Sequence, residues 1–387
     1  MTKPNYEDGS IINLVSSITT AFGVKESGHK PLKDVDLSLI SNRQNIIFII
    51  IDGLGYNFIQ GEKETFLSKN IIRKCTSVFP STTATAITSF STGLSPAQHA
   101  VTGWFVYLKE LGVVSAILPF KPRYGGGPFS SAEITAEQIF NRNSIFESIP
   151  RKSYMLTNDT IIDSDYTIFY SKGSVRVAYE RDNMESFFKN LTTLVTDISG
   201  EKFIYCYWPS FDTLAHKNGI HSIQCKKHYE SFAEALERFS CDIGHTDSII
   251  LATSDHGLVD STKDEIIYFD EHPVLRDCLI LPLSGDPRAA YCYVKPDRTE
   301  EFESYIRNNL SYKCSLYKSR DLVKEGLFGP GEQDSRLSDR IGDYVFIPSY
   351  NYVVADSIIG EKPHPYIGHH GGLSENEMFI PLLLIEP

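Results

Sequence analysis

The sequence predicts an α/β protein with a mostly parallel sheet and a smaller α+β insertion. Three observations predict it. The runs NIIFIII at Asn45 to Ile51, FIYCYW at Phe203 to Trp208 and SIILA at Ser248 to Ala252 are short and continuously apolar. Lacking the alternation of a half-exposed strand, they read as strands buried on both faces. Segments with helical spacing lie between them. The texture changes to short, mixed elements over roughly 265 to 365, which marks the insertion within a core of 1–264 and 366–387.

At 387 residues the chain is long enough for one large or two medium domains, each with a full core. Its 41% hydrophobic and 22% charged residues are those of an ordinary globular protein. A net charge of −12 argues against binding a long nucleic acid, which needs a basic track. Small anions stay open, because bound divalent cations reverse the sign locally. Seven cysteines with no C-x-x-C pair read as reduced thiols, not as a disulfide or zinc framework. MTKPNYEDGS lacks a basic-then-apolar leader, and no run is long enough to span a membrane. A cytoplasmic protein is expected.

Taken in order, the chain opens on a helix with Ile11, Ile12, Leu14, Val15 and Ile18 on one face. The first strand then ends in Asp52-Gly53. Ligand-binding groups of open α/β sheets gather outside the carboxyl ends of strands, which is where Asp52 sits. Next comes VFPSTTATAITSFSTG, Val78 to Gly93, in which Ser81, Thr82 and Thr83 precede an alanine-rich helical run. Hydroxyls there either cap the helix or present a nucleophile where free N–H groups and the dipole favour phosphate. The loop Leu118 to Pro128 carries Lys121, Arg123 and three consecutive glycines. It is either a substrate-facing loop with two cations or a solvated glycine loop. Residues 137–149 and Ser186 to Ile198 have helical spacing.

The second strand runs into Asp212 and His216, and Ser222 to Gly244 reads as a long helix. The third strand runs into Asp255-His256-Gly257. Within the insertion, Ala290 to Val294 and Tyr344 to Pro348 look like strands and Thr299 to Leu310 like a helix. Leu316 to Phe328 mixes both signals. The chain closes with His369-His370-Gly371-Gly372 and an apolar strand, Phe379 to Ile385. Asp52, Asp212, His216, Asp255, His256 and His370 thus stand at or near strand ends. Three carboxylates and three imidazoles suit two zinc or manganese ions. One helical turn puts Asp212 and His216 on the same face.

In their order these residues (Asp-Gly, FPSTT, TGLSPAQHAVTG, D-x-x-x-H, DHG, HHGG) resemble the alkaline phosphatase superfamily, and within it the nucleotide pyrophosphatase/phosphodiesterase family. The resemblance covers about 45–257 and 364–387 and implies a three-layer core. It implies one metal on Asp52, Asp255, His256 and Thr83, and another on Asp212, His216 and His370. It selects Thr83 over Thr82 as nucleophile and His370 over His369 as ligand. A Thr83 alkoxide attacking phosphorus in line would give a phosphothreonine or nucleotidyl-threonine intermediate, later hydrolysed. Two departures bear on substrate: the usual His-Gly is His99-Ala100, and the family's phosphate-contacting asparagine is Trp104. Trp104 either stacks on a base or belongs to the core.

The expected activity is hydrolysis of a small nucleotide-type phosphodiester or phosphoanhydride, with a homodimer as a candidate assembly and no membrane or long nucleic acid as partner. Rivals on the same scaffold are a phosphomonoesterase, a phosphonate hydrolase and a phosphomutase. A monoesterase needs an added cation, for which Lys121 and Arg123 are the candidates. A metal-dependent binding protein without turnover is the reading from another class.

Overall fold

The computed structural model describes every residue except 25–27, 63, 359 and 362–365. Asn45–Ile51 forms a strand buried along its whole length. It lies inside a seven-stranded sheet of order Ile71–Thr76, Phe379–Ile385, Ser248–Thr253, Asn45–Ile51, Lys202–Trp208, Lys152–Asn158, Ser174–Tyr179. Phe379–Ile385 alone runs antiparallel to its neighbours. Parallel registers align Asn45 with both Lys202 and Ser248, and Ile51 with Trp208. The three strands therefore end at the same level. That alignment delivers Asp52, the Asp212 helix and Asp255-His256 to one edge of the sheet.

Strand alternation splits the isoleucine run between two helical layers. Ile46, Phe48 and Ile50 pack with the helices Ile11–Ala21 and Thr83–Thr92. Ile47, Ile49 and Ile51 pack with Met184–Thr196 and Ile223–Asp242. Each fully buried aliphatic side chain contributes about 1.5–3 kcal/mol, so a central strand with both faces covered anchors the whole layer stack. The result is the helix–sheet–helix core expected of the sequence.

A second seven-stranded sheet has the order Cys314–Lys318, Tyr344–Pro348, Ala289–Cys292, Ser284–Asp286, Phe105–Leu108, Val113–Ala116, Lys121–Pro122. Residues 265–365 supply four of its strands and 105–122 supply three. The helix Thr299–Asn309 covers it with Phe302 and Ile306. The sheet's Tyr291 and Val345, with Phe328 from outside it, cluster with Phe79, Ala97 and Ala100. Phe79 and Phe328 are edge-to-face at 5.3 Å. The second sheet thus packs directly on the segment that leads into the Thr83 helix.

Two expected elements differ. Residues 137–149 do not form one helix: Ala136–Ile139 is a single turn, Phe140 is extended, and Ile145–Glu147 is a 3₁₀ turn. Ser144 starts that turn afresh, its Oγ accepting from the Phe146 N–H at 3.2 Å. The mixed Leu316 to Phe328 stretch divides into the strand Cys314–Lys318 and the helix Ser319–Lys324. Among the described residues no helix is long and apolar enough to cross a membrane.

Candidate two-metal active site

Asp52 follows the first strand directly, and Gly53 turns the chain at φ +75°. A Cβ on Gly53 would stand 2.8 Å from Leu258 Cδ1 and 3.0 Å from Asp212 Cβ, so the turn passes close under the Asp212 helix. Asp52 Oδ2 accepts a hydrogen bond from the Tyr207 hydroxyl. Asp255 Oδ1 accepts from the backbone N–H groups of Gly53 and His256, each at 3.0 Å. His256 Nδ1 is 3.1 Å from the Gly257 carbonyl. That carbonyl can only accept, so Nδ1 carries the proton and Nε2 presents its lone pair. Nε2 lies 3.4 Å from Asp52 Oδ1 and 3.5 Å from Asp255 Oδ2.

The second group is built on the helix Ser210–Asn218. His216 Nε2 lies 3.2 Å from Asp212 Oδ2, one helical turn away. His216 Nδ1 donates to the Gly368 carbonyl at 2.7 Å, which turns Nε2, beside Asp212, toward where a metal would sit. His370 Nε2 is 3.9 Å from Asp212 Oδ1. His369 faces elsewhere, its Nε2 at 3.1 Å from the Tyr366 carbonyl. Asp52, Asp255 and His256 form one potential metal-holding group, and Asp212, His216 and His370 another. The two adjoin, with the His256 and His370 rings stacked at 3.8 Å.

Metal ions fit these residues. Asp52 Oδ1, Asp212 Oδ1, Asp255 Oδ2 and His370 Nδ1 are buried without a hydrogen-bond partner. Anionic oxygens left bare in a dry site cost several kcal/mol unless a cation meets them. Burial, then the neighbouring Asp255 and Asp212, holds the Asp52 carboxyl well above the ordinary range. Burial alone would lower His216, but the Asp212 carboxylate overrides it and raises the imidazole. A mixed carboxylate and imidazole set is what zinc or manganese accepts.

Thr83 Oγ1 lies 3.1 Å from His256 Nε2. Thr83 is the first residue of the helix Thr83–Thr92 and Thr82 is its N-cap. Ser81 Oγ donates to the Gly372 carbonyl at 2.8 Å, tying the hydroxyl segment to the histidine turn.

The decisive comparison is with protein families: residues 46–373 match the family described as type I phosphodiesterase / nucleotide pyrophosphatase. The chain belongs to this family, within the alkaline phosphatase superfamily. The match takes in Thr83 and all six acids and histidines of the two groups. Among solved structures, murine ectonucleotide pyrophosphatase/phosphodiesterase 5 is similar at 15% identity with TM-score 0.65, over 88% of this chain and 87% of that one. The human counterpart is similar at 14% identity with TM-score 0.66, over the same shares. Phosphonoacetate hydrolase from Sinorhizobium meliloti 1021, in complex with phosphonoformate, is similar at 18% identity with TM-score 0.62, over 88% and 90%. At such identities the likeness is one of fold. No curated protein sequence matches the chain.

The structure does not bring the expected cations of this type I phosphodiesterase-like chain together with Thr83. Arg123 bonds Glu361 through Nε at 3.2 Å and Nη2 at 2.7 Å, and the carbonyls of Leu283 and Asp356 at 2.9 and 2.8 Å. It also stacks over Phe105 at 4.8 Å. Lys121 is exposed, with no ion-pair partner among the described residues. Trp104 is half-buried, and its backbone N–H donates to Asp286 Oδ2 at 3.2 Å.

Three groups escaped the sequence reading. Tyr207 bonds Asp52, and parallel register alone could have placed it there. Asp286 accepts from Thr82 Oγ1 at 2.9 Å, and burial pushes its carboxyl up to about 6. Arg288 and Glu377 form a buried bidentate pair, at 3.0 and 2.8 Å, beneath the Gly371-Gly372 turn. No local pattern marks either.

Proposed function

We propose that the protein is a two-metal phosphodiesterase or nucleotide pyrophosphatase that works through Thr83. What carries the reading is one juxtaposition: two adjoining Asp/His groups with bare carboxylate oxygens, and a threonine hydroxyl at a helix start 3.1 Å from one of their imidazoles. Asp52, Asp255 and His256 would hold one ion together with Thr83, and Asp212, His216 and His370 the other. Zinc or manganese there would stabilise developing charge and acidify the attacking hydroxyl. Thr83 Oγ1 would lose its proton and attack phosphorus, while the first-turn N–H groups of its helix hold the non-bridging oxygens. The leaving oxygen departs opposite Thr83, and water then hydrolyses the phosphoryl-threonine or nucleotidyl-threonine ester.

A diester or anhydride fits better than a monoester. A dianionic phosphoryl group calls for an added cation. The donors of Arg123 are already committed to Glu361, Leu283 and Asp356, and Lys121 stands exposed on the strand Lys121–Pro122 with no bond to the Thr83 segment among the described residues. The deciding assay pairs bis-p-nitrophenyl phosphate with p-nitrophenyl phosphate, with zinc or manganese and with chelator. A chelator-sensitive preference for the diester is expected, and a monoester preference would overturn it. Thr83→Ala should keep both metals and lose at least about 10³-fold in kcat. Undiminished turnover would transfer the nucleophile role to Thr82.

A further inference from the structure

Thr82 occupies the N-cap of the Thr83–Thr92 helix yet makes no cap bond to its first turn. Elsewhere in the chain, N-cap residues of the same kind divide: Ser10 and Ser95 also give their hydroxyls elsewhere and make no cap bond, while others do cap. Thr65, Ser164, Asn183 and Ser222 each accept from the backbone N–H three residues on. The difference at Thr82 has a visible cause. Its hydroxyl is turned round as a donor to Asp286 Oδ1 at 2.9 Å, and both residues are buried. Asp286 belongs to the short strand Ser284–Asp286 of the second sheet, and its other oxygen takes the Trp104 N–H at 3.2 Å. Gly371, at φ +114°, lies so close that a Cβ there would stand 2.9 Å from Asp286 Cβ. Asp286 is therefore wedged between the hydroxyl segment and the histidine turn, touching both by way of backbone or Thr82.

We infer that Asp286 is a positioning residue that holds the Thr82 hydroxyl away from the first turn of the Thr83 helix and so keeps those N–H groups open to phosphoryl oxygens. Without Asp286, Thr82 Oγ1 is free to accept from the Thr85 N–H, as an ordinary cap does. The cap then competes with substrate for the same donors. The inference rests on the proposed phosphoryl site, and it makes the second sheet part of that site's machinery.

The test measures inorganic phosphate binding to the metal-loaded protein by calorimetry, beside the kinetics of diester hydrolysis. Asp286→Ala should bind phosphate about tenfold more weakly, the scale of one cap interaction, with its metal content unchanged. KM should rise more than kcat falls. Adding Thr82→Val removes the competing cap, so the double variant should return to within about threefold of wild type. A merely structural Asp286 predicts no such rescue. Wild-type affinity in the single variant, or a double variant no better than the single, would overturn the inference. Should Asp286→Ala fail to fold, hydrogen exchange on the wild type carries the test: phosphate should slow the amides of Thr83 to Thr85, and unchanged exchange would reject the idea. Phosphate binding without ester turnover would instead sink the proposed function while leaving this inference standing.

Discussion

Histidines in this chain divide by what their ring nitrogens meet. His216 and His256 each give Nδ1–H to a backbone carbonyl and turn Nε2 toward carboxylates. His99 does the reverse. Its Nδ1 accepts the Val101 N–H at 3.0 Å, so its Nε2–H donates to Ser89 Oγ at 3.0 Å. A protonated ring could not accept from Val101, and burial pushes the imidazole down to about 3. The unfolded chain takes a proton on this residue near pH 6.5, while the folded chain refuses it until far lower pH. The stabilising contribution is thus whole above about pH 6.5 and is lost as pH falls toward 3. His99→Asn keeps an acceptor for Val101 and should remove up to one proton, about 1.4 kcal/mol per pH unit, from the acid slope. Urea unfolding at pH 6.5, 5.5 and 4.5 checks it, and an unchanged slope would show that His99 titrates normally.

Elements were legible where burial is uniform. NIIFIII and YVFIP, buried throughout, and FIPLLLI, buried at all but two positions, are strands whose bounds the apolar runs mark, because a strand covered on both faces has few polar residues to blur them. The six acids and histidines were legible because strand ends repeat the same chemistry. Asp286 was not: Ser-Gly-Asp is too short for any period, and its partner Thr82 is 204 positions away. The joining of 105–122 to the insertion's strands escaped for the same reason, since pairing between distant segments leaves no local trace. The Arg288–Glu377 pair shows what such hidden contacts support. Glu377 also accepts from the Gly372 N–H at 2.8 Å and the Ser374 hydroxyl at 2.6 Å, so the pair fixes the turn that follows His370 to the second sheet. Both side chains are buried, and removing one strands the other's charge. Arg288→Ala should cost about 3–5 kcal/mol in denaturant unfolding. It should also weaken metal binding at the Asp212, His216 and His370 group more than at the other. Equal loss at both groups would mean that the pair supports the fold generally and not this turn.

At the scale of the whole molecule, parallel register gathers Asp52, Asp255 and Asp212 at one buried edge of a chain that already carries a net charge of −12. Folding without cations must bring these carboxylates together, dry and partly unpaired, which is why Asp52 is held so far above the ordinary range. The fold spends stability on the site, and ions bound there would return it. An ion at about 100 times its Kd should raise the unfolding free energy by about 2.7 kcal/mol per site. Asp52→Asn removes one repelling charge and one ligand together. It should therefore unfold at a higher temperature than wild type in chelator, yet gain less when zinc or manganese is added. Scanning calorimetry of both proteins, with ion and with chelator, separates the two effects. A wild-type transition that ignores chelator and added ion alike would mean that the bare carboxylate oxygens are satisfied without metal, and the two-metal reading would fall with it.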